Sequence, residues 1–406
     1  MRHNGVFAAL AAVMAAALLA ACGSSNSDDS SNASTATGTP ISFYVLGPSA
    51  DNNQNDSSQG KLGVTAAVTA INKAGGVKNH PLKPVFCAKG IQSDANVIAA
   101  CGRDAVADQS VSAFVWGTNN YGSAIDPILE QAGLACLGCQ PFTQADFGSP
   151  MLFPFEPGAL SVVGLAALGA DQLKAAKIDM AIPDVPAGHG LPTLIDSLGL
   201  KPRNTSLGQV VYVPATAVDV TAAAGQVNGA DLVINTLLQG QQAPFLQALR
   251  QQGNKVPMMI SGSTNSAPGL GQQYGDQAEG IYAGSVYNRN SEGYKRYKAD
   301  LGAIGAGDSE LNTDQSIGAW LSVQLFADIA NQLDGNPTRQ AVLDKVKTLT
   351  AYDTKGLTPS IDFSKPGTLG GGHFPSIRND AMYLLQYKNG ELQPVGTASR
   401  VFGGQG

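Results

Sequence analysis

Charge is scarce in this chain. Of its 406 residues, 25 are Lys or Arg and 31 are Asp or Glu, for a formal net charge of −6. A protein that grips nucleic acid needs a clustered basic footprint to neutralise phosphates. No such cluster occurs, which excludes nucleic acid as a partner. Histidine is scarcer still, with four residues at His3, His80, His189 and His373. None sits in a His-Glu-x-x-His motif, and Gly-x-Ser-x-Gly elbows, Walker A loops and Gly-x-Gly-x-x-Gly fingerprints are missing. The expectation is a protein that is not an enzyme, with no cofactor and no metal. Long apolar runs are missing too. The sixteen residues from Val6 to Ala21 rise about 24 Å as a helix, short of the roughly 30 Å hydrocarbon core. A membrane-spanning helix is the weaker reading of that run.

What is present there is more specific. The run follows a basic start, Met-Arg-His-Asn, and closes on Leu19-Ala-Ala-Cys22, the form of a bacterial lipoprotein signal. The closing cysteine resembles that of a lipobox, which is acylated and becomes the first residue of the mature chain. Residues 1–21 then read as a signal peptide. Cys22 is the lipidation site, and the protein lies outside the cytoplasm, anchored by lipid to the bacterial cell membrane. Residues 22–39 hold almost nothing that a core would take, so ordering them would not repay their entropy. They read as a disordered tether, with the folded body starting at residue 40.

Four cysteines remain: Cys87, Cys101, Cys136 and Cys139. An even number in an exported chain favours disulfides. Three pairings are open, and sequence alone does not choose. Cys87 ends a strand-like segment and Cys101 lies late in the following helical segment, which favours Cys87–Cys101 with Cys136–Cys139. A zinc site needs two correctly spaced pairs, and Cys87/Cys101 lack that spacing.

The body alternates strand and helix. Strands are predicted at 41–46, 83–88, 111–116 and 134–137, with helices at 60–74, 94–108 and 121–132. A second series has helices at 158–175, 191–198, 218–227 and 243–252. Its strands are 178–182, 209–213, 231–235, 256–261 and 280–285. Helices at 313–333 and 338–349 follow, and then an apolar segment at 381–387. Short buried runs between amphipathic stretches signal βαβ units and parallel sheets. A body this long exceeds one core. The fold class is therefore α/β, with two doubly wound parallel-sheet lobes joined by several crossings. Trp116 and Trp320 lie on apolar segments and read as core.

The order of these motifs resembles the type I periplasmic binding proteins, specifically the leucine/isoleucine/valine-binding family of ABC-importer receptors. The matching pieces include ISFYVLGPSA, AVTAINKAGGV, SDANVIAACGRDAV, VSAFVWGTNNYGSAIDPILEQAGL, DLVINTLLQGQQAPFLQALRQQG, EGIYAGSVYN and RNDAMYLLQYKNGELQPVG, in family order from about residue 40 to 397. The resemblance implies a three-crossing hinge, with lobe 1 from 40–154 and 288–363 and lobe 2 from 155–287 and 364–406. It also implies closure on a small ligand and docking on ABC permease subunits. A ligand-sensing lipoprotein that presents its closed state to a receptor partner is the alternative use of the same architecture.

The leading binding candidate is the loop Gly117–Gly122, between a strand and a helix whose free N–H groups favour a carboxylate. Where the family uses serines, this chain has Thr118, Asn119 and Asn120; simple N-capping by either Asn is the plainer reading. The resemblance adds Ser49 on the first loop, and Gln140 and Thr143 after the fourth strand. Ser263 lies in a hydroxyl-rich turn that reads equally as a ligand contact. His189 reads as a solvated loop residue or a cleft-facing donor. The family clamps an ammonium with an acid after the strand equivalent to 231–235, yet Leu232 to Gly275 holds no Asp or Glu. Gln239 and Gln241 occupy that region, and Asp184 is the available substitute. A buried ammonium without a carboxylate is disfavoured. Amides, polyols and small carboxylic acids therefore stand beside branched-chain amino acids as ligand classes.

Overall fold

The structure, a computed structural model, describes residues 35–46, 55–87, 95–185, 188–263 and 265–402. Five parallel strands make the first sheet: β1 (Ile41–Leu46), β2 (Leu82–Phe86), β3 (Val111–Gly117), β4 (Cys136–Leu137) and β5 (Leu152–Phe153). Their order is β2-β1-β3-β4-β5. Between them run α1 (Asn55–Lys73), α2 (Ala95–Ala107), α3 (Gly122–Ala132) and α4 (Gln144–Gly148). β1 and β3 are buried at every position. A strand with no polar face must be covered on both sides, and helices cover it.

The second sheet has β6 (Lys177–Asp184), β7 (Ser206–Pro214), β8 (Leu232–Asn235), β9 (Met258–Ser261), β10 (Tyr282–Ser285), β11 (Ala381–Lys388) and β12 (Glu391–Arg400). Its order is β12-β11-β10-β9-β8-β6-β7. Alternation along the strands feeds two separate cores. Ile178, Met180, Ile182, Leu232, Ile234 and Met259 point to one, which also takes in α5 (Ser161–Gln172) and the interior of the first lobe. Ala181, Val233, Met258 and Ile260 point to the other. The helices here are α6 (Leu191–Leu194), α7 (Thr221–Ala224), α8 (Gln239–Gln251) and α9 (Ala267–Tyr274). After β10 the chain returns: α10 (Glu292–Ala303) and α11 (Asp314–Asn331) pack on α1, and α12 (Arg339–Val346) packs on β3. The chain thus passes between lobes after β5, after β10 and before β11.

Both favoured disulfides are present, Cys87–Cys101 and Cys136–Cys139. Gly138 allows the second: its φ of 69° turns the chain between cysteines whose Cα atoms are 5.6 Å apart. Trp116 and Trp320 are both buried.

The structure departs from the sequence reading in several places. Residues 35–39 are not tether. Thr35 N–H donates to Asn72 O, Gly38 N–H to Asn79 O, and His80 Nδ1 meets Thr39 O at 2.7 Å. Backbone carbonyls around the α1–β2 turn, with the Asn79 and His80 side chains, satisfy this polar stretch without a core. The second sheet is mixed rather than wholly parallel, because β11 runs antiparallel to β10 and β12 to β11. The helix expected at 218–227 shrinks to the single turn of α7, and 191–198 runs from α6 into a π-helix over Ile195–Leu200. α10 was not anticipated. Its buried stripe is only Gly293, Tyr297 and Leu301, under a Ser291 N-cap. β12 was missed because it is a mostly exposed edge strand carrying Pro394 and Gly396, which only its partner makes a strand.

Candidate functional site

Ligands of open α/β sheets bind beyond the carboxyl ends of the strands. At that end of β3 the backbone is strained. Trp116 holds a φ of 65°, uncommon for a residue with a side chain and frequent at functional sites. Its indole fits only because residue 60 of α1 is glycine, where a Cβ would stand 2.0 Å from the ring. The next residues are those singled out from sequence. Thr118 is buried, Asn119 half-buried and Asn120 exposed. Asn119 Oδ1 accepts the Tyr121 N–H at 2.7 Å, an Asx turn ahead of the helix and not the N-cap that its plainer reading expected, since the N-cap is Tyr121. Tyr121, at the N-cap of α3, makes no side-chain capping bond, so the positive end of this helix is not neutralised by its own cap.

The second loop is joined to the first. Gln140 N–H donates to Gly117 O at 2.9 Å. Thr143 caps α4: its Oγ1 accepts the Asp146 N–H at 3.3 Å, and Asp146 Oδ2 accepts the Thr143 and Phe142 N–H groups at 2.6 and 3.0 Å. This is a reciprocal capping box. Asn119, Gln140, Asp126, Asp146 and Cys139 line one cavity of about 10 Å³, room for about one water. The structure therefore brings Asn119 and Gln140 together and holds Thr143 beside them.

Beneath Gln140 lies the hinge. Its Nε2 donates to Glu156 Oε1, and Glu156 stands on the first crossing between lobes. The fully buried Tyr287, on the second crossing, turns its hydroxyl to the same carboxyl without reaching full hydrogen-bond geometry. Burial above all pushes Glu156 up to about 8. Asp314, at the start of α11, ties the second crossing down. Its Oδ1 accepts from Ser285 Oγ at 2.8 Å and from Arg289 at 3.0 Å, while Oδ2 accepts the Val286 N–H at 2.9 Å. Asp314 N–H reaches Gly262 O of the second lobe at 3.1 Å.

The second-lobe candidates are more dispersed. Asp184 ends β6, is exposed, and pairs with His189 Nε2 at 2.8 Å. His189 in turn stacks on Tyr212, with ring centroids 4.8 Å apart. Gln241 is buried and donates to Pro214 O and Ala217 O at 3.0 and 2.9 Å, so its amide braces the loop after β7. Gln239 opens α8, and half-buried Ser263 donates its N–H to Ser261 Oγ at 3.1 Å. Asp184, Gln241 and Ser263 do not line the 10 Å³ cavity. Ser49 and Cys22 lie outside the described residues.

Sequence reasoning passed over Glu156, Asp126, Asp146, Asp314 and Arg289. Two of these left a signal. Thr143-Gln-Ala-Asp146 has the spacing of a capping box, and Glu156 is a lone acid inside Phe-Pro-Phe-Glu-Pro, where burial would be expected.

Two doubly wound lobes, three crossings and polar loops gathered at the strand ends define a hinged solute-binding protein of the type I architecture. The chain belongs to the Periplasmic binding protein family, whose model matches residues 40–391. Its fold is similar to that of a solute-binding protein of R. palustris in complex with 4-hydroxybenzoate, at 19% identity and a TM-score of 0.69, covering 90% of this chain and 98% of that one. A branched-chain amino acid transporter protein of Thermus thermophilus with bound valine is similar at 15% identity and a TM-score of 0.69, covering 90% and 98%. LivJ of Streptococcus pneumoniae in complex with isoleucine is similar at 19% identity and a TM-score of 0.65, covering 88% and 99%. A search of curated proteins returns no match.

Proposed function

We propose that this chain is the non-enzymatic solute-binding lipoprotein of an ABC importer, held to the membrane through acylated Cys22, and that its ligand is a small carboxylic acid lacking an ammonium group. One pairing of observations carries the ligand class. The first-lobe loop offers Thr118, Asn119 and Asn120 just ahead of α3, whose N-cap residue makes no side-chain capping bond, side chains that can donate to a carboxylate. The opposing lobe supplies no Asp or Glu between Leu232 and Gly275 to balance a buried ammonium. The related R. palustris protein holds 4-hydroxybenzoate, an acid without an ammonium. Gln140 stands at the same strand ends, and Ser49, Thr143, Asp184, Gln239, Gln241 and Ser263 complete the proposed set. Closure delivers the ligand to permease subunits.

Thermal shift with 4-hydroxybenzoate and leucine as probes tests this. A true ligand at a hundred times its Kd should stabilise by about 2.7 kcal/mol, and Asn120→Ala should weaken it by about 1–3 kcal/mol once closure buries that side chain. Tight binding of leucine, indifferent to Asn120→Ala, would mean that a carboxylate such as Asp184 serves an ammonium and that the ligand class is wrong. For the anchor, Cys22→Ser should move the protein out of the membrane fraction or leave the signal uncleaved. Normal cleavage with unchanged membrane association would remove Cys22 from the proposal.

A further inference from the structure

Under the two first-lobe loops lies a pair of acids that ligand binding does not itself call for. Asp126 sits one turn into α3, and Asp146 closes the capping box of α4; both are buried. Their carboxyls are within hydrogen-bonding reach of each other. Among the described residues, no N–H or O–H donor reaches the buried Asp126 Oδ2 or Asp146 Oδ1. Two buried carboxyls so placed do not both ionise at neutral pH, because like charges in a poorly solvated site repel.

Which of them keeps the proton follows from their partners. Asp146 is arranged as the anion. Its Oδ2 accepts two backbone N–H groups, and it lines the same small cavity as Asp126. It also lies against the first residue of α3: a Cβ on Gly122 would stand 2.3 Å from Asp146 Oδ1. The positive end of that helix favours a negative charge there. Asp126 has nothing comparable. Burial first, and then the negative charges of Asp146 and of Glu130 on the next turn of α3, push it up to about 8.

We propose that Asp126 is a positioning residue whose carboxyl proton, donated to Asp146, ties α3 and the 117–122 loop to the 139–143 loop. Asp146 is the joint. One of its oxygens holds the Phe142 and Thr143 amides, and through the shared proton it holds the helix that presents Asn119 and Asn120. The spacing between the two loops then depends on one hydrogen bond that crosses from α3 to α4. Losing that proton leaves two adjacent anions and drives the loops apart. The importance of this tie rests on reading both loops as ligand-binding. The test below uses no ligand, so that either idea can fail without the other.

The experiment compares Asp126→Asn, Asp126→Ala and Asp146→Asn with the parent protein by pH-dependent melting and by amide hydrogen exchange. The side-chain amide introduced by Asp126→Asn still donates to Asp146. That variant should therefore keep the parent melting temperature at neutral pH and the exchange protection of the Phe142 and Thr143 amides. Because the folded parent holds a proton that its unfolded chain does not, its unfolding near neutral pH should release about one proton more than that of Asp126→Asn. Asp126→Ala should melt lower. Asp146→Asn can keep the Phe142 and Thr143 amides on its one oxygen, but its NH2 cannot accept the Asp126 proton, so its unfolding near neutral pH should release about one proton fewer than that of the parent. If Asp126→Asn resembles Asp126→Ala, or releases as many protons as the parent, the proton does not reside on Asp126 and the proposal fails. Should Asp126→Ala not fold, the proton count and the Asp126→Asn exchange data decide alone. An infrared comparison in a Glu156→Gln background adds a check: the carbonyl stretch of a protonated acid should be present with Asp126 and absent once Asp126→Asn is added.

Discussion

Replacing Asp314 by alanine will cost about 3–5 kcal/mol of stability, the range for breaking a buried ion pair by removing one partner. The side chains of Asp314 and Arg289 are only 2% and 4% exposed. Arg289 Nε already lacks a partner among the described residues, so deleting Asp314 leaves a nearly buried cation without its carboxylate. The same deletion releases Ser285 Oγ and the Val286 N–H, both where the chain leaves β10 for the first lobe. Chemical denaturation of Asp314→Ala, Arg289→Met and the double variant separates the terms. The double variant should recover much of the loss, because a well-packed apolar pair is often neutral or better where a buried ion pair stood. A loss below about 1 kcal/mol in Asp314→Ala, the level of an exposed pair, would show that this junction is open to solvent and does not pin the hinge.

The second large effect is a pH dependence set by Glu156. Its folded-state pKa is raised, chiefly by burial, to about 8, against about 4.3 in an unfolded chain. The folded protein therefore holds a proton across that window which the unfolded chain has lost. The stability that Glu156 contributes is fully present below the unfolded value and is lost as pH rises through the folded one. The slope for one such proton is about 1.4 kcal/mol per pH unit. Glu156→Gln keeps a neutral group of the same shape beside Gln140 and Tyr287, and should remove that share of the slope. Glu156→Ala should instead cost about 1–3 kcal/mol at neutral pH by leaving buried Gln140 without its acceptor. Unfolding titrations of the three proteins between about pH 5 and about pH 9 would show it. An unchanged slope in Glu156→Gln would mean that Glu156 is ionised in the folded protein. The location gives the effect its meaning, since Glu156 lies between a candidate ligand loop and two of the crossings about which the lobes turn. Ligand closure should share its pH dependence.

Much of this arrangement was legible in the chain itself. Ile41–Leu46 and Val111–Gly117 are short apolar runs bounded by turn residues, and a run with no polar face is a doubly covered strand wherever it occurs. The motif order identified the family, and the family model bears it out. Cys87 and Cys101 were paired from a strand end and a helix that could return to it. Thr143 shows the limit. The family resemblance placed it among the ligand contacts, and the structure adds a role as a helix cap, with its hydroxyl accepting the Asp146 N–H. The relevant pattern, Thr-x-x-Asp, was present but competed with the functional reading of the same residue.

The sequence by itself determined the two-lobed α/β architecture, through its length and the order of its elements, and the apolar strands and buried tryptophans, because which segments are apolar is written in neighbouring residues. Only the tertiary structure decided the antiparallel β11–β12 edge, the inward turn of Gln241, and the buried partnerships of Glu156 with Gln140, Asp126 with Asp146, and Arg289 with Asp314. Each of these depends on what a residue meets from a distant part of the chain. An acid on a surface and an acid between two crossings are the same letter, and only the surrounding packing settles whether it carries a charge or a proton.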